Sequence, residues 1–236
     1  MTSRVFAQSS EPIASLLLRF DNEYDLSAKE RLLLTMTGQD SGAGGALLRL
    51  AQSTTNTDTR WMAMRGMATL HYTACGLFLE ASLKDSDVLV RANAARALGD
   101  LRIRDASALL LVMFAAEQEQ PAVQQASLAL RMLDLKAAAP SIREKIPVFT
   151  GQTRYWLIQA LGTVGSSADV PFIAGYLDEM MSALAATEAL QELAGVSFGP
   201  RHTGLSGYPP PELIAARVWW KSHKDEWPRC DDCHPR

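Results

Sequence analysis

The sequence predicts an all-α solenoid, a stack of antiparallel helix pairs, on three observations. Apolar residues recur at helical spacing along most of the chain, set among helix-forming Ala, Leu, Met, Gln, Arg and Glu. Stretches of strand-like alternation are absent. A short pattern also returns: aligning Met67-Ala68-Thr69-Leu70, Arg96-Ala97-Leu98-Gly99, Leu128-Ala129-Leu130-Arg131, Gln159-Ala160-Leu161-Gly162 and Glu188-Ala189-Leu190-Gln191 spaces the shared alanine by 29, 32, 31 and 29 residues. A period near thirty accommodates two helices of about twelve residues and their turns. The shared residue is small because a large side chain there would hold successive layers apart.

Residues 1–56 predict helices over 11–20, 27–37 and 44–53 without a clear repeat register, and they read as an N-terminal helical cap. Ser27-Ala28-Lys29-Glu30 has capping-box spacing for the second of these, and Gly38 is a plausible stop. The glycine-rich run from Gly38 to Gly45 has the amides to cradle a phosphate, but no Lys-Ser/Thr follows it and no strand precedes it. It reads as a plain loop. Residues 57–194 predict repeat helices over 58–71, 73–84, 87–101, 105–117, 120–134, 137–146, 152–164, 168–178 and 180–194. Asp87 and Asp105 stand where N-caps belong, Pro121 fits a first helical turn, and Gly165 and Gly195 are plausible stops. Ala106–Ala116 is apolar nearly all round, as a middle helix with neighbours on both sides should be. Residues 195–236 depart from the repeat: a Gly/Pro-rich connection to Pro211, a capping helix over 211–224 carrying Trp219-Trp220, then a cysteine-containing tail.

The segment from Asp87 to Leu101 (Asp-Val-Leu-Val-Arg-Ala-Asn-Ala-Ala-Arg-Ala-Leu-Gly-Asp-Leu) resembles the first helix of a HEAT-like repeat, of the short bacterial kind also seen in phycobilisome-lyase proteins. Tyr155–Gly165 and Ala122–Leu130 resemble it more loosely. The resemblance implies a right-handed superhelix whose second helices line a concave face. It also implies protein binding, and it raises a bilin-lyase-like role on family grounds alone. Phe198-Gly199 with the following prolines and Trp-Trp resembles the closing segment of bacterial HEAT-repeat proteins, where the tryptophans cover the last repeat.

Composition narrows the function further. Lys+Arg 23 against Asp+Glu 26 gives a net charge of −3, which lacks the basic excess that nucleic-acid binding demands. The longest apolar stretch is about half of the ~20 residues a membrane-spanning helix needs, so membrane insertion is not expected. The chain as written reads as cytoplasmic; Val5-Phe6-Ala7-Gln8 has the small-residue look of a signal-peptide end, and an upstream signal would make it periplasmic. No histidine is followed by glutamate, which removes the His-Glu pairs of di-iron HEAT-repeat hydroxylases. No nucleophile-elbow context surrounds any serine. Cys75 follows His71 by four residues, but a buried small thiol is the plainer reading than a nucleophile.

Two sets of residues carry candidate chemistry. Cys230-Asp231-Asp232-Cys233-His234 matches the C-x-x-C-H attachment sequence for c-type haem, in which two thiols bond one porphyrin and the adjacent imidazole binds its iron. His202, His223 or a methionine could supply the second axial ligand. Cys230, Cys233 and His234 with His223 equally make a two-sulfur, two-nitrogen set for zinc, and the dithiol alone could cycle with a disulfide. Met113 and Phe114 could line an adaptable apolar groove for a partner, and Tyr208, Trp219 and Trp220 an aromatic platform. The leading expectation is a non-catalytic scaffold for another protein or peptide, with no cofactor; haem c or zinc at the tail is the alternative.

Overall fold

The computed structural model describes residues 11–38, 42–199 and 208–227, and among these it is all-helical, with no strand. The chain divides into two compact units, Met1–Ala106 and Ser107–Arg236. That division falls inside the 57–194 segment read as one repeat block.

The first unit contains α1 (Ile13–Asn22), α2 (Leu26–Thr37), α3 (Ala43–Ser53), α4 (Thr57–Thr69), α5 (Gly76–Ser82) and α6 (Val88–Asp100). Here α3 pairs with α4 and α5 with α6, while α4 also packs on α2 and α6. The segment resembling a first repeat helix is therefore the second member of its pair, folded back on α5. The second unit contains α7 (Ser107–Ala116), α8 (Gln120–Met132), α9 (Ala139–Lys145), α10 (Gly151–Val164), α11 (Val170–Ala174), α12 (Ala183–Ala194) and α13 (Pro211–His223). Its pairs are α7/α8, α9/α10 and α11/α12, with α8 against α10, α10 against α12, and α12 against α13. None of the described helices is long and apolar enough to cross a membrane.

One turn is built three times. At the ends of α4, α6 and α8 the chain passes through His71, Arg102 and Asp134 with φ of 51°, 55° and 51°. Tyr72, Ile103 and Leu135 then return their amides to Met67, Leu98 and Leu130 at 2.9–3.0 Å. This left-handed cap satisfies carbonyls that the helix leaves without partners, and it aims the chain back along the helix it has just left. A short 3-10 turn follows each cap and heads α5, α7 and α9. Gly195 closes α12 with φ of 67°, whereas Gly38 and Gly165 end their helices with negative φ.

Basic residues tie each pair to the connection before it. Arg60, Arg91 and Arg154 all stand fourth in their helices. Arg60 donates to the Thr54 carbonyl at 3.0 Å, Arg91 to those of Asp85 and Ser86, and Arg154 to those of Ile146 and Phe149. Arg60 also pairs with Asp85, and Arg154 with Glu179, each twenty-five residues further on, so a contact of the same spacing occurs in both units.

The small residues sit where helices cross. Ala97, Ala129, Ala160 and Ala189 are buried, and Ala68 is half-buried. A Cβ added to Gly162 would lie 2.7 Å from the Ala189 Cα, so α10 and α12 approach almost backbone to backbone. Gly44 and Gly45 are the second and third residues of α3, and a Cβ on Gly44 would meet the Tyr72 ring at 2.6 Å; close packing explains that glycine. The cap of α2 is Asp25, whose carboxylate accepts from the Ala28 amide at 2.7 Å, two residues before the expected Ser27. Asp87 caps α6 and Pro121 opens α8 as expected, while Asp105 lies inside a 3-10 turn. The stretch over 168–178 is helical as α11 only to Ala174. In α7, Leu110 and Phe114 are buried but Val112 is 69% exposed, so this helix buries one stripe rather than its whole circumference.

Candidate functional site

In the second unit the outward faces of α8, α10 and α12 share a continuous polar row. Arg131 on α8 donates to the Thr163 hydroxyl at 3.1 Å and the Gln159 carbonyl oxygen at 3.0 Å, both on α10. The Gln159 amide donates to the Tyr155 hydroxyl at 3.1 Å and to Glu188 of α12. Thr163 donates to Glu192 at 2.9 Å, and Lys136 reaches the Thr163 carbonyl. Tyr155, Gln159 and Thr163 are four residues apart, as are Glu188 and Glu192, which places each set on one helix face. Side chains of both signs are thereby linked across three adjacent helices, with the buried Gln159 at the centre of the row.

A second feature lies at the C-terminal end of the same unit. Phe198, Pro211, Ile214, Val218, Trp219 and His223 wall a largely apolar groove of about 660 Å³, open to solvent. Trp219 is its centre of packing: Phe198 tilts against it at 5.6 Å, Trp227 meets it edge-on at 6.3 Å, and the His223 ring stacks on it at 5.2 Å and 18°. The His223 Nδ1 lies 2.8 Å from the Trp219 carbonyl oxygen. An oxygen of that kind only accepts, so Nδ1 bears the proton and, in the neutral ring, Nε2 bears the lone pair.

The expected partner-binding residues land in three different settings. Phe114 is 0% exposed, with the Lys145 ammonium 5.4 Å above its ring, so it belongs to the core and offers nothing to a groove. Half-buried Met113 neighbours it on α7. Trp219 and Trp220 are half-buried and adjacent, at 6.4 Å between rings, whereas Tyr208 is 53% exposed and makes no ring contact with either among the described residues. Cys230, Cys233, His234 and His202 lie outside the described residues; His223 alone of the tail set is placed. Among the described residues no three metal-ligating side chains cluster.

The Cys75 thiol is fully buried and donates to the Tyr72 carbonyl at 2.8 Å, and burial pushes its pKa up to about 11. A thiol held protonated in this way is a packing residue. Sequence reading missed the polar row, although a signal for it existed. Gln159 and Glu188 each precede the shared alanine, and Thr163 and Glu192 each follow it by three. The aliphatic groove wall, Ile214 and Val218, was missed as well; its four-residue spacing was the available signal.

These features define the class: an all-helical protein of paired helices with a polar second-helix face and an apolar terminal groove. Neither protein-family models nor curated proteins give a significant match to the sequence.

Proposed function

We propose that the chain is a non-catalytic scaffold of HEAT-like repeats, and that the outward face of its second helices binds another protein or a peptide. The observation that carries this reading is the row Arg131–Gln159–Thr163–Glu188–Glu192, linked across α8, α10 and α12 in repeat register. Stacked repeats expose a large continuous surface per residue, which suits an extended partner. Supporting it are the recurrent left-handed turn, the Arg60–Asp85 and Arg154–Glu179 pairs, and the close crossing at Gly162. With both charge signs in the row, binding should weaken as salt screens them.

The test is site-specific photocrosslinking in the source cell. A photoreactive residue at Glu192 should give a discrete adduct that Arg131→Glu reduces at least tenfold, while the same residue at Val148, exposed beyond the first helix of its pair, gives none. Equal adducts from both positions, or none from Glu192, would count against the reading.

A further inference from the structure

We propose that a cavity walled by α3, α4 and α5 takes the phenol ring of a tyrosine from a partner protein, seated against Arg60 and Phe78. This site lies in the first unit and does not rest on the polar row of the second. An internal comparison carries it, because the second unit holds a tyrosine of its own at the matching place.

The two units share a register here. Helix α4, the 3-10 turn before α5 and α5 itself begin at Thr57, Thr73 and Gly76; α10, the turn before α11 and α11 begin at Gly151, Ser167 and Val170, each ninety-four residues later. Arg60 therefore matches Arg154, Phe78 matches Phe172, Ser82 matches Tyr176 and Asp85 matches Glu179. Each arginine pairs with the acidic residue of its own set. Around the second pair a ring completes the packing: Tyr176 meets Phe172 edge-on at 5.6 Å, and the Arg154 guanidinium lies 5.7 Å over its face.

At the place of Tyr176 the first unit has Ser82, whose hydroxyl donates to the Phe78 carbonyl at 2.8 Å. A side chain that small leaves the space as a cavity of about 280 Å³, open to solvent. Ala51, Phe78 and Ala81 give it an apolar side, and Gln52, Arg60 and Asp85 a polar one. The Arg60 side chain is the more open of the two arginines, 24% exposed against 13% for Arg154.

This mixed lining suits a phenol, which has an apolar body and one polar tip. The Arg60 guanidinium is held by the Thr54 carbonyl at 3.0 Å and the Asp85 carboxylate at 2.9 Å, and a planar cation stacks well on an aromatic face. Size decides the source of the ring. Sites for whole small molecules run upward from about 300 Å³, and this cavity falls just below that range. A single aromatic side chain filling a pocket is the usual anchor at the centre of a protein interface.

The experiment titrates the isotope-labelled full chain with p-cresol, the tyrosine side chain cut at Cβ, and follows the amide resonances. Saturable shifts are expected at Phe78, Ala81 and Ser82, with a dissociation constant of about 1 mM for so small a fragment. N-acetyltyrosinamide should bind at least as tightly, and methylcyclohexanol, of similar size but without the aromatic face, at least tenfold more weakly. Ser82→Tyr should supply the ring from within the chain, abolish p-cresol binding and raise the unfolding temperature by several degrees. Ala81→Trp, on an exposed position with circular dichroism as the folding control, should block the cavity by a second route, while Val148→Tyr leaves binding unchanged. Shifts that are absent or do not saturate at these amides overturn the proposal. So does methylcyclohexanol binding as well as p-cresol, or p-cresol binding unaltered in both Ser82→Tyr and Ala81→Trp. Binding of p-cresol with rejection of N-acetyltyrosinamide would make this a site for a free phenol and equally overturn it.

Discussion

The two units complete their helix pairs by different means. In Met1–Ala106 alanine and leucine dominate the interior but four methionines, Met36, Met62, Met64 and Met67, are buried among them, and it is crossed by the buried Lys29. That ammonium donates to the Phe20 carbonyl and the Thr59 hydroxyl, both at 2.6 Å, and lies 4.9 Å over the Phe20 ring; it thus ties α1, α2 and α4. In Ser107–Arg236 alanine is as prominent, but among the described residues the buried core holds no methionine and instead stiff Val and Ile such as Val123, Ile142, Ile158 and Ile173, and the helices approach closely at Gly162. Lys145 plays the similar part there, donating to the carbonyls of Glu117 at 2.7 Å and Ala115 at 3.3 Å over the Phe114 ring, but it joins only α9 to the end of α7. Both lysines satisfy carbonyls that a helix end leaves unpaired. The difference is one of tolerance: flexible methionines can give way, a backbone cannot.

The largest expected effect tests that tolerance. Gly162→Ala should cost about 3 kcal/mol, because its Cβ would meet the Ala189 backbone at 2.7 Å. Gly66→Ala in the first unit should cost about 1 kcal/mol, because there the 2.6 Å neighbour is the end of the Leu33 side chain. Urea unfolding of both variants measures the contrast, and equal losses would erase it.

Lys29→Ala comes next, at about 3 kcal/mol, since it strands a buried carbonyl and a buried hydroxyl; Lys145→Ala should lose about half as much. A pH series sharpens the same comparison. Burial holds both lysines below the ordinary value of 10.5, against the pull of Asp21, Asp58 and Glu23 on Lys29 and of Glu117 and Glu144 on Lys145. Between the folded pKa and 10.5 the unfolded chain keeps protons that the folded chain has released, so stability rises with pH through that window. Urea midpoints taken from neutral pH upward should show this rise, and Lys29→Met should flatten part of it. The smallest effect is a gain: Arg102→Gly, at φ of 55°, should stabilise by about 0.5–1 kcal/mol, read as a higher unfolding temperature.

Much of the fold was legible because helix periodicity and small crossing residues leave marks at fixed spacing. Each expected helix has a counterpart, and the shared alanines fall on α4, α6, α8, α10 and α12. The turns were less legible: three left-handed caps carry His71, Arg102 and Asp134, where glycine is the usual signal, so the three-dimensional demand overrode local preference. Asp25 took the cap expected of Ser27 because its carboxylate reaches the Ala28 amide. The candidate surfaces were harder still. Gln159 and Glu192 look like any solvated helix positions until three helices bring them together, and Phe114 looks like a groove residue until Lys145 closes over it. Trp219 stood out by its chemistry, but its stacking on His223 depends on one turn of α13.

Underlying both units is the claim that a helix pair is finished by its neighbours, which hydrogen exchange followed by mass spectrometry tests most directly. Helix α10, flanked by α8, α9 and α12, and helix α4, flanked by α2, α3 and α6, should hold the slowest amides of their units, while α13, packed on α12, exchanges far sooner. Protection spread evenly over all helices, or greatest in α13, would contradict it.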